Sequence, residues 1–412
     1  MIQQETLSCE SDEALDRISS LPDPITDQIL GMMPLKDAVR TSILSQNWRF
    51  KWSKLSKVKF DSHSLALSSQ PIIESRVVSI IDQVLILHNG PITKFKLSHK
   101  DLTGVSDIDR WLVYLSRRSV RTFALKIWKG KKYKVPTSLF LWTSLVHLKL
   151  RNCMIRVPPS FRGFTSLKSL FLGSVTIAQD VLERLISSCQ LLDWIKFSNL
   201  DRISSLKICA PHLKFFAADS KLVEIRFENT SELTVVHIRS PLKVKPEASL
   251  SGGRSRRLLR VLLPLLSISR LELRNCSLQY LDTMHVKCLH LDYISISVNL
   301  CDYGEREAAI RLLQCAPNLE ELKIQSEEGT GDISGDIWPN ISFELSLLRT
   351  VEIDDICGGQ PELGFIEAIL SKSPELEKMT ITPATGKWTC DLTKELLSFC
   401  RASPKAAIIL ED

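Results

Sequence analysis

One spacing returns through most of this chain: an apolar residue, two variable positions, a second apolar residue, one variable position, and a third. It reads Ile92-Phe95-Leu97, Val120-Phe123-Leu125, Leu145-Leu148-Leu150, Leu167-Leu170-Leu172, Leu192-Ile195-Phe197, Leu213-Phe216-Ala218, Leu233-Val236-Ile238 and Ile268-Leu271-Leu273. It closes with Leu319-Leu322-Ile324, Leu348-Val351-Ile353 and Leu376-Met379-Ile381. The first seven starts are 28, 25, 22, 25, 21 and 20 residues apart. Side chains of a strand alternate between faces, so the last two apolar residues of each triplet point inward together and the residue between them points out. One such strand cannot bury its apolar side alone. Stacked copies can, and the result is a curved solenoid.

The period is that of leucine-rich repeats. Between strands the chain returns through helix-like stretches such as Ala178–Ile186, with Val181, Leu182, Leu185 and Ile186 on one face. Asn152-Cys153 and Asn275-Cys276 follow strands directly and fit the turn that closes a repeat. Two stretches interrupt the pattern: the polar, basic run within 239–267 and the Glu327-Glu328-Gly329-Thr330-Gly331-Asp332 segment, both expected as loops.

Composition narrows the class further. With 412 residues, 44% apolar and 24% charged residues, a mean hydropathy of +0.03, and 16 Gly and 18 Pro, the chain is neither disordered nor collagen-like. Its longest greasy run, Leu258–Ile268, contains Arg260 and is too short to span a bilayer. No basic leader with an apolar stretch, no glycine at position 2 and no prenylation box is present, so a cytoplasmic and/or nuclear location and no membrane partner are expected. The 11 cysteines form no C-x-x-C pair and sit mostly in apolar contexts, as structural thiols of a reducing compartment do. The sequons at Asn229, Asn275 and Asn340 are then chance matches.

Charge is segmented. Residues 1–60 hold 8 basic and 8 acidic side chains, residues 61–300 hold 35 and 18, and residues 301–412 hold 10 and 21. A basic middle suits an acidic partner, or it merely solvates one face.

No phosphate-binding glycine loop, zinc-protease helix or serine-hydrolase elbow occurs, and His285 and His290 are misplaced for one helical face. No catalytic residue, metal site or cofactor is expected. The run Lys126-Ile127-Trp128-Lys129-Gly130-Lys131-Lys132-Tyr133-Lys134 raises nucleic-acid binding, but no nucleic-acid fold accompanies it and none is assigned.

The first sixty residues form a different module. Asp23-Pro24 reads as a helix cap followed by proline at the first helical position, and Ile25, Ile29 and Leu30 fall on one stripe. Pro34 separates a second helix from Leu35 onward, and a third carries Trp48 and Trp52 one turn apart. Three short helices cannot bury this much apolar surface unaided, so part of it is buried against the repeats, a separate protein, or both.

The segments Leu21-Pro22-Asp23-Pro24-Ile25, Met33-Pro34-Leu35-Lys36-Asp37-Ala38-Val39-Arg40-Thr41-Ser42-Ile43-Leu44-Ser45 and Trp48-Arg49-Phe50-Lys51-Trp52 resemble a plant F-box. The segments Cys315–Leu322, Leu348–Ile353 and Ser373–Ile381 resemble the FBD region of the plant F-box/FBD/LRR-repeat family. The resemblance implies an α/β chain: a small helical F-box (15–60), a leucine-rich-repeat horseshoe (61–310) and an FBD region continuing the repeats (311–400). It also implies a non-catalytic substrate receptor of a Skp–cullin–F-box ubiquitin ligase, bound through a Skp-type adaptor to cullin, with the repeats holding an unidentified target.

Carried over by position, Leu21, Pro22, Ile25, Ile29 and Leu30 match the first side of the adaptor contact, Pro34, Leu35, Val39 and Leu44 its middle, and Trp48 and Trp52 its last helix. Each aliphatic, Ile29 and Val39 especially, reads equally well as internal core. Pro22 and Leu35 are assigned to contact. For the target, the outward positions of the strands offer Lys126, Lys149, Arg151, Lys196, Arg239, Arg270 and Arg274, with Phe171 and Trp194 as aromatic anchors, on a face basic first and acidic (Glu321, Glu352, Asp354) at its end. The alternatives are that these charges solvate, that Trp194 folds into a neighbouring repeat, or that the chain is a repeat scaffold uncoupled from ubiquitination.

Overall fold

Pro22, extended at φ −58° and ψ 145°, starts the first helix, α1 (Asp23–Met32); its carbonyl accepts the Ile25 and Thr26 N–H groups at 3.0 and 3.1 Å. Asp23 therefore lies inside the helix and is not its cap. Pro34 starts α2 (Leu35–Arg40) in the same way. These elements come from a computed structural model that describes residues 21–62, 74–100, 102, 107–239, 267–276, 287–327, 344–384 and 390–411. The chain divides into two compact units, residues 1–130 and 131–412.

In the first unit, the helix expected around Trp48 and Trp52 is instead a run of turns ending in a 3-10 turn at Lys51–Lys54. The Trp48 N–H bonds Ser45 O at 3.1 Å and the Lys51 N–H bonds Trp48 O at 3.3 Å. Ser45 and Asn47 favour such local closure over α-helix. Both indoles are buried all the same, at 2% and 4% exposure.

Three parallel strands follow, β1 (Lys57–Asp61), β2 (Lys94–Ser98) and β3 (Thr122–Lys126), with α3 (Glu74–Leu87) and α4 (Asp107–Ser116) between them. Val58, Phe95 and Phe123 align across the register, as do Phe60, Leu97 and Leu125. The Phe95 ring lies 5.8 Å from Phe60 and 6.0 Å from Phe123. Leu55-Val58-Phe60 thus has the repeat spacing too. The helical module is tied to these strands by backbone bonds: Asn89 and Gly90 donate to Ser53 O at 3.1 and 3.2 Å.

The second unit is one parallel ladder. Its strands, in spatial order, are β5 (His147–Arg151), β7 (Ser169–Gly173), β8 (Trp194–Ser198), β10 (Phe215–Asp219), β12 (Val235–Arg239), β13 (Arg270–Arg274), β14 (Tyr293–Val298), β15 (Glu321–Ser326), β16 (Thr350–Ile356), β17 (Lys378–Pro383) and β18 (Ala407–Leu410). Inward residues run in register from Leu148 through Leu170, Ile195, Phe216, Val236, Leu271, Ile294, Leu322, Val351 and Met379, all buried. Short side ladders pair β4 (Tyr133–Lys134) with β6 (Cys153–Met154) and β9 (Ser205–Cys209) with β11 (Glu224–Glu228).

Helices return the chain: α5 (Gln179–Ser187), α6 (Tyr303–Cys315), α7 (Gln360–Lys372) and α8 (Cys390–Ser398). In α5, Leu182, Leu185 and Ile186 are buried and Val181 half-buried, close to the stripe read from sequence.

Five strands, β5, β7, β8, β11 and β13, are each followed by a residue with positive φ: Asn152 (57°), Ser174 (50°), Asn199 (51°), Asn229 (51°) and Asn275 (54°). Asparagine tolerates this left-handed conformation, which is why it follows the strands. Their N–H groups carry the ladder one step further, Asn152 to Gly173 O at 2.8 Å and Ser174 to Ser198 O at 2.7 Å. The expected loops, the greater part of 239–267 and Glu328–Asp332, lie outside the described residues. No helix among the described residues is long and apolar enough to cross a membrane.

Candidate functional site

Two surfaces carry side chains that the fold itself leaves unused. The first is on the helical module. Of the residues proposed for adaptor contact, Pro22, Ile25, Ile29, Pro34 and Leu44 are exposed, and Leu21 and Val39 half-exposed. Leu30, Leu35, Trp48 and Trp52 are buried within this unit, Leu35 at 7% exposure. The physical reason is local. With α2 starting at Pro34, Leu35 and Ala38 fall on its inner stripe, toward β1 and the Lys51–Lys54 turn.

Three exposed apolar residues escaped the sequence reading: Met32, Ile43 (88% exposed) and Phe50. Met32 was legible, since Ile25, Ile29 and Met32 follow the i, i+4, i+7 stripe of one helix face. Lys51 Nζ lies 3.3 Å from Asp23 Oδ1 and 5.5 Å from the Trp48 ring, pinning the last turn onto α1.

The second surface is the outward side of the long ladder. Its central row reads Lys149, Phe171, Lys196, Ala217, His237 and Glu272 across β5 to β13. Its leading row reads His147, Ser169, Trp194, Phe215, Val235 and Arg270. Trp194 stacks on Phe215 with ring centroids 5.2 Å apart at 7°, and His237 meets Phe215 edge-on at 5.2 Å. Trp194 therefore packs sideways along the sheet and stays half-exposed; it does not fold into the core.

Lys149 Nζ sits 4.4 Å from the Phe171 ring, and the Arg270 guanidinium 4.2 Å from the ring of Tyr293. Burial first, and then Arg270, Lys196 and Arg274 against the opposite pull of Glu272, push the His237 imidazole below the ordinary histidine range. Arg151, Lys196 and Arg239 are exposed, with no carboxylate in ion-pair range among the described residues. Phe215 and His237 were missed in the sequence, although Phe215 holds the same repeat position as Trp194.

Beyond β14 the face turns acidic. Lys323 is held between Glu352 and Asp354, 3.4 Å from the latter, while Glu321 is exposed. Lys126 belongs to the first unit, where its Nζ lies 3.0 Å from the centre of the exposed Trp128 ring.

Residues 18–60 match the F-box domain model, and residues 108–324 match a model described as FBD-associated F-box protein At5g56370, LRR repeats. The F-box/FBD/LRR-repeat protein At1g13570 of Arabidopsis thaliana is 33% identical over 97% of this chain and 100% of its own length. This chain belongs to the F-box/FBD/LRR-repeat family. The FBD-associated F-box protein At4g10400 of the same plant is 35% identical over 48% of this chain and 50% of its own length. The putative F-box/FBD/LRR-repeat protein At2g05300, also from Arabidopsis thaliana, is 24% identical over 96% and 97%. The helical module is therefore an F-box and the ladder a leucine-rich-repeat array, a combination that serves an adaptor-type role.

Proposed function

We infer that this F-box/LRR protein is the substrate-receptor subunit of a Skp–cullin–F-box ubiquitin ligase. The F-box binds a Skp-type adaptor and, through it, cullin; the repeats hold a target protein. The observation that carries this reading is the exposed apolar set Ile25, Ile29, Met32, Ile43, Leu44 and Phe50 on an F-box that already buries Leu30, Leu35, Ala38, Trp48 and Trp52. Buried fully, each such side chain contributes about 1.5–3 kcal/mol, enough in combination for a constitutive interface. The receptor supplies no reacting group. It raises the effective concentration of a target lysine beside the conjugating enzyme.

On this reading the chain works in the cytoplasm or nucleus and is segmented as 15–60, 61–310 and 311–400. Co-purification with a Skp-type adaptor and cullin tests it. Wild type captures both, whereas Ile29→Glu/Leu44→Glu, shown folded by circular dichroism, captures neither. A folded wild type that captures neither would leave a repeat scaffold uncoupled from ubiquitination.

A further inference from the structure

The outward face of β5 to β13 has a composition that restricts what it can receive. Its middle is an aromatic shelf of Phe171, Trp194, Phe215 and His237, all half-exposed. A bare aromatic shelf in water signals an apolar or aromatic occupant, because stacked rings attract beyond the area they bury. Around the shelf stand Lys149, Arg151, Lys196, Arg239, Arg270 and Arg274, against only Asp219 and Glu272. Arg270, Lys196 and Arg274 act on His237 in the same direction as its burial, against Glu272, whose carboxylate lies 3.6 Å from Nδ1.

The rows also set a scale. Adjacent parallel strands lie about 4.8 Å apart, so shelf and cations extend over about 25 Å, the reach of a short extended peptide. A small anion would need convergent donors around one point. These cations are instead distributed over three outward rows from β5 to β13.

We propose that this face binds an extended acidic segment of a protein, seating one aromatic side chain on the Trp194–Phe215 stack and its carboxylates on Lys196, Arg239 and Arg270. This rests on the receptor reading and names the class of target it would take. The aromatic anchor sets register along the strands. The carboxylates discriminate, since a basic segment would meet uncompensated like charge across the whole face.

The test is selection of random dodecapeptides displayed on phage against the full chain without any adaptor, so that failure here leaves the adaptor reading untouched. Enrichment of sequences joining at least three Asp or Glu to a Trp, Phe or Tyr is expected. The best enriched peptide, fluorescein-labelled, should lose at least tenfold in affinity for Trp194→Ala and at least thirtyfold for Lys196→Glu/Arg239→Glu. Both of those cations are exposed, so the double variant keeps its fold and reports the surface alone. Affinity should also fall several-fold between 50 and 300 mM salt. Enrichment of neutral or basic sequences, binding indifferent to both variants, or tighter retention of a 20-nucleotide RNA than of any selected peptide would overturn the proposal.

Discussion

His88 shows how one side chain couples the F-box to the repeats. Its Nε2 lies 2.8 Å from Leu55 O, so that nitrogen donates, and Nδ1 is buried with no hydrogen-bond partner. Protonation would place a second N–H where nothing accepts it. Burial accordingly lowers the His88 pKa from 6.5, against the Leu55 bond and together with nearby Arg118. In the unfolded chain the imidazole takes up a proton below about pH 6.5, and the folded chain resists it, so stability falls as pH drops through that window. Thermal unfolding should show a lower Tm at pH 5.5 than at 7.5, and His88→Gln should narrow the gap. An unchanged gap would assign the pH dependence to other groups. Beside it, a Cβ on Gly90 would lie 2.7 Å from Lys54 Cα, a backbone atom that cannot move aside. Gly90→Ala should cost about 1–3 kcal/mol in chemical denaturation. Burial also pushes the Cys153 thiol up to about 12, while Cys400 is exposed. Brief alkylation near pH 8 should therefore label Cys400 and leave Cys153 unmodified until the chain unfolds.

At the scale of elements, the repeats persist because each turn is closed by specific groups. Glu362, 3% exposed, stands in the first turn of α7 and accepts from the N–H groups of Cys357 and Gly359 at 3.0 Å each and from Ser326 Oγ at 2.6 Å. Glu362→Ala strands three donors, and a loss of at least about 2 kcal/mol is expected. Asn199, at φ 51°, invites the opposite comparison. Asn199→Gly should be nearly neutral and Asn199→Val costly by about 1–2 kcal/mol.

The elements also show what a sequence discloses. The strand triplets were legible because burial of alternate residues is written into local spacing, and every triplet read is a strand. Leu291-Ile294-Ile296 in β14 carries the same spacing and was passed over between two irregular stretches. Which F-box side chains are exposed was only half legible. Whether Leu35, Trp48 or Ile29 faces inward depends on where Pro34 starts α2 and how the last turn folds back, which no period records. The aromatic shelf was legible at Phe171 and Trp194 alone, since Phe215 and His237 join it only through cross-strand register.

As a whole molecule, the protein is a carrier of two separate surfaces, one apolar on the F-box and one aromatic and cationic on the repeats. Their independence is the central claim, and titrating a purified Skp-type adaptor into the full chain by calorimetry tests it most directly. Saturable binding is predicted for wild type, with a loss of at least 100-fold for Ile29→Glu/Leu44→Glu and no change for Trp194→Ala. An adaptor that binds both variants equally, or binds the Trp194→Ala protein more weakly, would contradict the account.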